Sequence, residues 1–441
     1  MALLHLLAIA AIAQPAPRDW PQWGRNPQQQ AFNPVPPARR ALREWTFTAR
    51  DRVVSSPAVA FGRVYAGSDD GHLYAVDAAS GRLVWKFAAP IDDPTCRSSC
   101  DPETDPACDP DPERPDDKGF QCEHGLCLCP KIRSDPAVDS DGNVYFGAYN
   151  RQLYKVSPQG QLVWNVTTGG AIYGPPTIDA DGTVYIGSFD QYVYAISPAG
   201  SVKWRAFIGA HGDSGIAIGD GAQSHVLMTQ SNEGGNCTAW PPEWGGVSGG
   251  QCFIFALDKR SGKELWRRHT GKPGGGGAVT NGAYISGNWN NYVTSYDMLT
   301  GKLNWQLDVK GEVESRPAIV DGVAFITTEE SKLLLAIDAT SGKIKWSYAG
   351  AAEELNGSPA VSRDLVFAGS NDRYLHAVDR QTGELRFKFE TCANVFSSAA
   401  IADSGMVYVG CNSPCGPVTG VGVGELYAIN PSLHTNASTS R

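Results

Sequence analysis

A single unit recurs eight times along the chain, and that repetition leaves few folds open to it. The first copy reads Ser55-Ser-Pro-Ala-Val59, Val64-Tyr-Ala-Gly-Ser68, Leu73-Tyr-Ala-Val-Asp77 and Ser80-Gly-Arg-Leu-Val-Trp85. Each piece is short and apolar or alternating, the pattern of a strand, so four strands make one module. Third-strand copies follow at Leu153 to Ser157, Val193 to Ser197, Ile254 to Asp258, Val293 to Asp297, Leu334 to Asp338, Leu375 to Asp379 and Leu426 to Asn430. The fourth-strand aromatic falls at Trp45, Trp85, Trp164, Trp204, Trp266, Trp305, Trp346 and Phe387, at separations of 40, 79, 40, 62, 39, 41 and 41 residues.

Trp45 has no module before it, and the last module has no aromatic strand after Asn430. The pattern therefore predicts an all-β, eight-bladed β-propeller of four-stranded antiparallel blades, with the N-terminal strand completing the last blade. Such closure removes the exposed sheet edges that invite aggregation. The composition suits it: 49 Gly and 29 Pro for tight turns, 43 aromatics and only 19% charged residues.

The motif A-x-D-x-x-S/T-G-x-x-x-W resembles the repeat of pyrroloquinoline-quinone (PQQ) type propellers over residues 42–430. Asp19-Trp-Pro-Gln-Trp23-Gly-Arg resembles the leader before the first blade of such proteins, so 14–41 are expected to pack on the ring. The resemblance implies a fold shared by PQQ-dependent alcohol dehydrogenases and by non-catalytic relatives such as the outer-membrane assembly propeller. In the dehydrogenases it implies a vicinal Cys-Cys over the cofactor, an Asp base, and Glu and Asn side chains holding Ca²⁺. No Cys-Cys pair occurs in this chain. No catalytic residue, metal ligand or cofactor is therefore assigned, with PQQ and Ca²⁺ kept as the alternative.

Three insertions interrupt the repeat. One, within 90–131, carries Cys96, Cys100, Cys108, Cys122, Cys127 and Cys129; a second, 231–252, carries Cys237, Trp240, Trp244 and Cys252; a third, in the last blade, carries Cys411 and Cys415, with Cys392 nearby. In an up-and-down blade the fourth-to-first and second-to-third links emerge on one side, so these loops are expected to mark the working face. Six cysteines in one Pro- and Asp-rich loop read most simply as disulfide staples. A zinc site on Cys122, His124, Cys127 and Cys129 is the sharper alternative, although C-x4-C-x-C is not a standard zinc spacing. The acidic run Asp101 to Glu113 lacks the glycine and spacing of a calcium loop. Trp240 and Trp244 lie outside the blade plan and are the candidate ligand contacts.

Other motifs dissolve into the repeat. Gly212-Asp-Ser-Gly215 has the look of a serine-nucleophile motif, and Gly274 to Gly277 that of a phosphate cradle. Both fall in the slot of Ser55-Ser-Pro, where small residues begin an innermost strand. The repeat aromatics read as packing between blades rather than as a stacking platform.

Met1 to Ala13 is a short apolar run ending in Ala-Ile-Ala, the pattern of a cleaved signal peptide, too short for the ~20 residues of a membrane span. Export to the periplasm or the extracellular space follows, with sequons at Asn165, Asn236 and Asn436 as glycosylation candidates; the sequon at Asn356 is weakened by Pro359. A net charge of −9 with no basic cluster argues against nucleic acid as a partner. The expectation is a monomeric, secreted binding or scaffold propeller for a protein, glycan or small molecule, ending in a flexible tail at 431–441. The alternative is a quinoprotein oxidoreductase of alcohols or sugars.

Overall fold

A computed structural model describes residues 20–22, 24–34, 42–90, 130–212, 214–231, 252–411 and 424–430. The apolar N-terminal run, residues 431–441, most of the three insertions and their Cys96, Cys100, Cys108, Cys122, Cys127, Cys129, Cys237, Cys415, Trp240 and Trp244, and the sequons at Asn236 and Asn436, lie outside the described residues.

Eight antiparallel sheets of four strands each form the propeller. The seam lies where the repeat placed it: Leu42–Thr48 pairs antiparallel with Glu425–Asn430, from Leu42 opposite Asn430 to Thr48 opposite Glu425. Blade 8 therefore consists of Ala400–Ile401, Val407–Gly410, Glu425–Asn430 and the N-terminal strand. Innermost strands begin later than the small-residue slot suggested. In blade 1 the strand is Ala58–Ala60, and in blade 2 only Ala137–Val138. The slot itself is extended link, pinned by its small residue. Ser55 Oγ donates to Gly67 O (3.1 Å) and accepts from Gly67 N (2.7 Å); Ser397 makes the same pair with Gly410 (2.9 and 2.8 Å).

The repeat glycine and tryptophan are two halves of one contact between blades. Each indole N–H reaches a carbonyl in the turn of the next blade: Trp45 to Ala78 O (3.1 Å), Trp85 to Pro158 O (2.8 Å), Trp305 to Ala339 O (3.0 Å). The ring lies flat on that turn, whose glycine has positive φ. A Cβ on Gly342 (φ +70°) would sit 2.7 Å from the Trp305 ring, so no other residue fits both the dihedral and the space. Apolar clusters bridge successive blades; Ala58, Tyr65 and Leu73 of blade 1 pack with Val144, Phe146 and Tyr154 of blade 2. Among the described residues no helix is long and apolar enough to cross a membrane.

The segment 20–34 runs across one end of the channel and ties the blades together. Main-chain N–H groups of the innermost strands donate to it in order round the ring: Val59 to Trp20 O (2.7 Å), Val138 to Pro21 O (2.6 Å), Ile218 to Pro27 O (2.8 Å), Val279 to Gln28 O (2.9 Å), Ile319 to Gln30 O (2.8 Å) and Val361 to Ala31 O (2.9 Å). Blade 3 is reached through the side chain of Gln22, which accepts from Ile178 N (3.2 Å), and blade 8 through Asn33 Nδ2, which donates to Ile401 O (2.7 Å). Trp20, Gln22, Gln29 and Asn33 are all buried. Among the described residues, this strap closes one end of the channel and leaves the other uncovered.

Candidate functional site: the open end of the axial channel

A cavity of about 140 Å³ occupies the open end. Two positions in each of five repeats supply most of its wall, the residues on either side of the small residue in the slot. In extended chain, alternate side chains share a direction, so both neighbours of that residue face the axis while the residue itself turns to its own blade. They are Val54 and Ser56 in blade 1, Arg133 and Asp135 in blade 2, Glu314 and Arg316 in blade 6, Asn356 and Ser358 in blade 7, and Phe396 and Ser398 in blade 8, with Tyr173 from blade 3. Blade 5 contributes Gly274, Gly275 and Trp289.

Side chains of both charge signs stand in this wall. Asp135 accepts from Ser56 N (2.6 Å) and lies 3.7 Å from Arg316 Nη1. Burial pushes its carboxyl up to about 6, with Arg316 opposing the shift. Arg316 is itself buried; its Nε donates to Gly275 O and its main-chain N to Ser358 Oγ (3.0 Å). Arg133 grips Asp69 with Nε and Nη2 (2.9 and 3.0 Å), and Arg52 adds a third contact (3.0 Å). Burial raises the Asp69 carboxyl, but these guanidinium partners outweigh it and hold the group below the usual range. On the far side burial and neighbouring Glu314 push the Glu329 carboxyl well up.

A second ring of variation rises above the cavity on the link between second and third strands. Blade 1 reads Gly67-Ser68-Asp69, and the third position becomes Tyr149, Phe189, Trp289, Glu329 and Asn371 in other blades. Tyr149, Phe189, Tyr173 and His211 gather there, with Phe189 and His211 stacked at 4.5 Å and 6°. Lys272 Nζ lies 3.3 Å from the centre of the Trp289 ring. The signal for these residues was in the sequence, as the positions that change inside an otherwise constant repeat. Reading the repeat for its constant positions passed over them.

Of the residues singled out from sequence, Cys252 and Cys392 are disulfide-bonded, and Cys392 Sγ lies 2.8 Å from Sγ of buried Cys411. Asn165 is on the exposed outer strand of blade 2 and donates to Gln152 Oε1 (2.9 Å). Ser214 of the nucleophile-like motif is buried and directs its hydroxyl to Gly274 O (3.4 Å). Gly274 to Gly277 lie in an innermost strand, as read from the repeat.

Fold and site together define a PQQ-type β-propeller with a polar axial cavity closed at one end. The model of a PQQ-repeat family described as outer membrane protein assembly factor BamB matches residues 43–106, 114–245 and 253–411. The chain belongs to that family. Its fold is similar to that of quinohemoprotein alcohol dehydrogenase from Comamonas testosteroni (TM-score 0.70, 16% identity, covering 96% of this chain and 82% of that one). A europium-containing methanol dehydrogenase aligns with TM-score 0.69 and 14% identity over 95% of this chain and 98% of the other. BamB from Moraxella catarrhalis aligns with TM-score 0.57 and 14% identity over 88% and 99%. No curated protein matches the chain.

Proposed function

We propose that this protein is an exported binding propeller that takes a small polar ligand into the open end of its axial channel. One observation carries the reading: the positions that vary between repeats line this cavity, while the other end of the channel is closed by main-chain hydrogen bonds. A constant frame with variable residues at one mouth is how a rigid scaffold carries specificity. The apolar run at Met1 to Ala13 supports export, as do the cysteine-rich insertions read as disulfide-stapled loops.

A thermal-shift screen of small polar compounds against the full chain tests this. Asn356→Trp fills the cavity at a residue whose Oδ1 has no partner to lose. A ligand-induced rise in melting temperature that disappears in this variant supports the reading; a rise that persists contradicts it.

A second reading, quinoprotein oxidoreductase, is favoured by the named solved structures and by the character of the wall. A planar polycarboxylate quinone with a cation fits its charge: Arg133 and Arg316 for carboxylates, the Trp289 face for the ring, and Glu314 with the unpartnered Asn356 Oδ1 as hard oxygen donors. Bound there, the quinone supplies two-electron redox chemistry. Asp135, beside Arg316 and half ionised near pH 6, is the group in this wall able to take a proton from an alcohol. Incubation with PQQ and Ca²⁺, followed by absorbance and dye-linked alcohol or sugar oxidation, separates the readings. Stoichiometric quinone retention with turnover selects the oxidoreductase.

A further inference from the structure

We infer that the ligand is a neutral oligosaccharide of at least two rings, one sitting in the axial cavity and the next lying on the aromatic shelf of Tyr149, Tyr173, Phe189 and His211. This rests on the axial-cavity reading and adds to it the ligand class and a second subsite.

The cavity specifies the chemistry. The charged side chains described in it are two guanidinium groups and two carboxylates, Arg133, Arg316, Asp135 and Glu314, so among the described residues neither sign is in surplus. What it does offer is hydrogen-bonding capacity of both kinds. Ser56 Oγ accepts from Ser398 N (3.0 Å) and Ser358 Oγ accepts from Arg316 N (3.0 Å), and each hydroxyl keeps its own hydrogen to donate. Trp289 Nε1, a donor, and Asn356 Oδ1, an acceptor, are enclosed at the wall without a partner. An unmet buried polar group costs about 1–3 kcal/mol, which a ligand recovers by pairing with it. Donors and acceptors alternating round a neutral pocket complement a molecule whose every polar group both donates and accepts. A polyhydroxylated ring is such a molecule; a carboxylate or an ammonium is not.

The shelf specifies the extension. Tyr173 belongs to both the cavity wall and the shelf, so the two are continuous. Tyr149 and Tyr173 meet edge to face (6.2 Å, 80°), Tyr149 and Phe189 likewise (6.3 Å, 67°), and Phe189 stacks on His211. All four rings are partly exposed on the insertion-bearing face. Tyr149 and Phe189 stand on the link position that blade 1 fills with Asp69 and blade 7 with Asn371, so the blade architecture does not call for aromatics there. Flat rings beside a hydroxyl-reading pocket match the two surfaces of a pyranose, an apolar C–H face and a polar rim.

An array of neutral and charged glycans, with PQQ as a separate arm, is titrated onto the full chain by calorimetry, and hits are examined by saturation-transfer NMR. Phe189→Leu keeps an apolar side chain but removes the ring face, and an unchanged melting temperature verifies its fold. The expected result is a neutral di- or oligosaccharide that receives saturation from aromatic protons and binds roughly tenfold more weakly to Phe189→Leu, the upper range of one aromatic contact. The matching monosaccharide, confined to the cavity, binds both proteins equally. Neutral-glycan binding indifferent to Phe189→Leu overturns the inference. Binding of only charged glycans or PQQ overturns it too, while leaving the axial-cavity reading standing. A chain that binds nothing in any arm overturns both.

Discussion

The two ends of the central channel are built on the same innermost strands, yet they are finished in opposite ways. At one end the backbone of 20–34 accepts N–H groups from the innermost strands of six blades, and its Trp20, Gln22, Gln29 and Asn33 side chains are buried. At the other, side chains from different repeats differ in charge, size and polarity, and two of their polar atoms, Trp289 Nε1 and Asn356 Oδ1, have no partner. Unpartnered buried atoms occur at both ends, Gln29 Oε1 and Asn33 Oδ1 in the strap and Trp289 Nε1 and Asn356 Oδ1 in the cavity wall, so the ends differ in what fills them: a strap of the chain's own backbone at one, a cavity lined by variable side chains at the other. The contrast separates what holds this ring together from what the ring is for.

The largest effect should come from breaking the closed end. Removing residues 20–34 strands the amides of Val59, Val138, Ile218, Val279, Ile319 and Val361 at about 1 kcal/mol or more each. Chemical denaturation should show a loss on the order of 5 kcal/mol, with ligand binding at the other end retained in whatever fraction stays folded. A truncated chain as stable as the intact one would mean that the strap is ornamental.

Next in size is a pH dependence that belongs to the open end. The Asp135 carboxyl is raised from 3.8 to about 6 in the folded chain, so its ionised form is disfavoured there. Well below pH 3.8 it is protonated in both states and costs nothing. As pH rises from about 4 to 6 the unfolded chain ionises first, and stability falls by up to roughly 3 kcal/mol before levelling off. The difference between the wild-type and Asp135→Asn stability curves should follow this fall; parallel curves would contradict the burial of this acid.

The smallest effect sharpens the comparison within the strap. Asn33→Ala removes the amide that reaches Ile401 O and Asp403 and should cost about 1 kcal/mol in denaturant titration, without altering any affinity at the open end. A changed affinity would show that the two ends are coupled.

The ring was legible in the sequence because its demands repeat. The Gly and Trp of each turn satisfy one contact between blades, and the same contact recurs as Gly81 on Trp45, Gly200 on Trp164 and Gly383 on Trp346. The seam followed from the unpartnered Trp45 alone. The strap was legible only as a leader, since its bonds use backbone carbonyls, which leave no residue-type signature. The site was harder for a different reason. Arg133, Asp135, Arg316 and Asn356 are scattered over more than 200 residues and converge only because the ring closes. Trp240 and Trp244 lie outside the described residues, and the described cavity is built from variable positions within the repeat.

Hydroxyl-radical footprinting of the full chain, with and without a neutral oligosaccharide, tests the one-ended channel most directly. The account predicts that Tyr173 and Phe189 are oxidised in the unliganded protein and protected when the sugar is added, while Trp20 resists oxidation in both. Equal oxidation of Trp20 and Tyr173, or protection appearing on the outer strands instead of at the channel mouth, would contradict it.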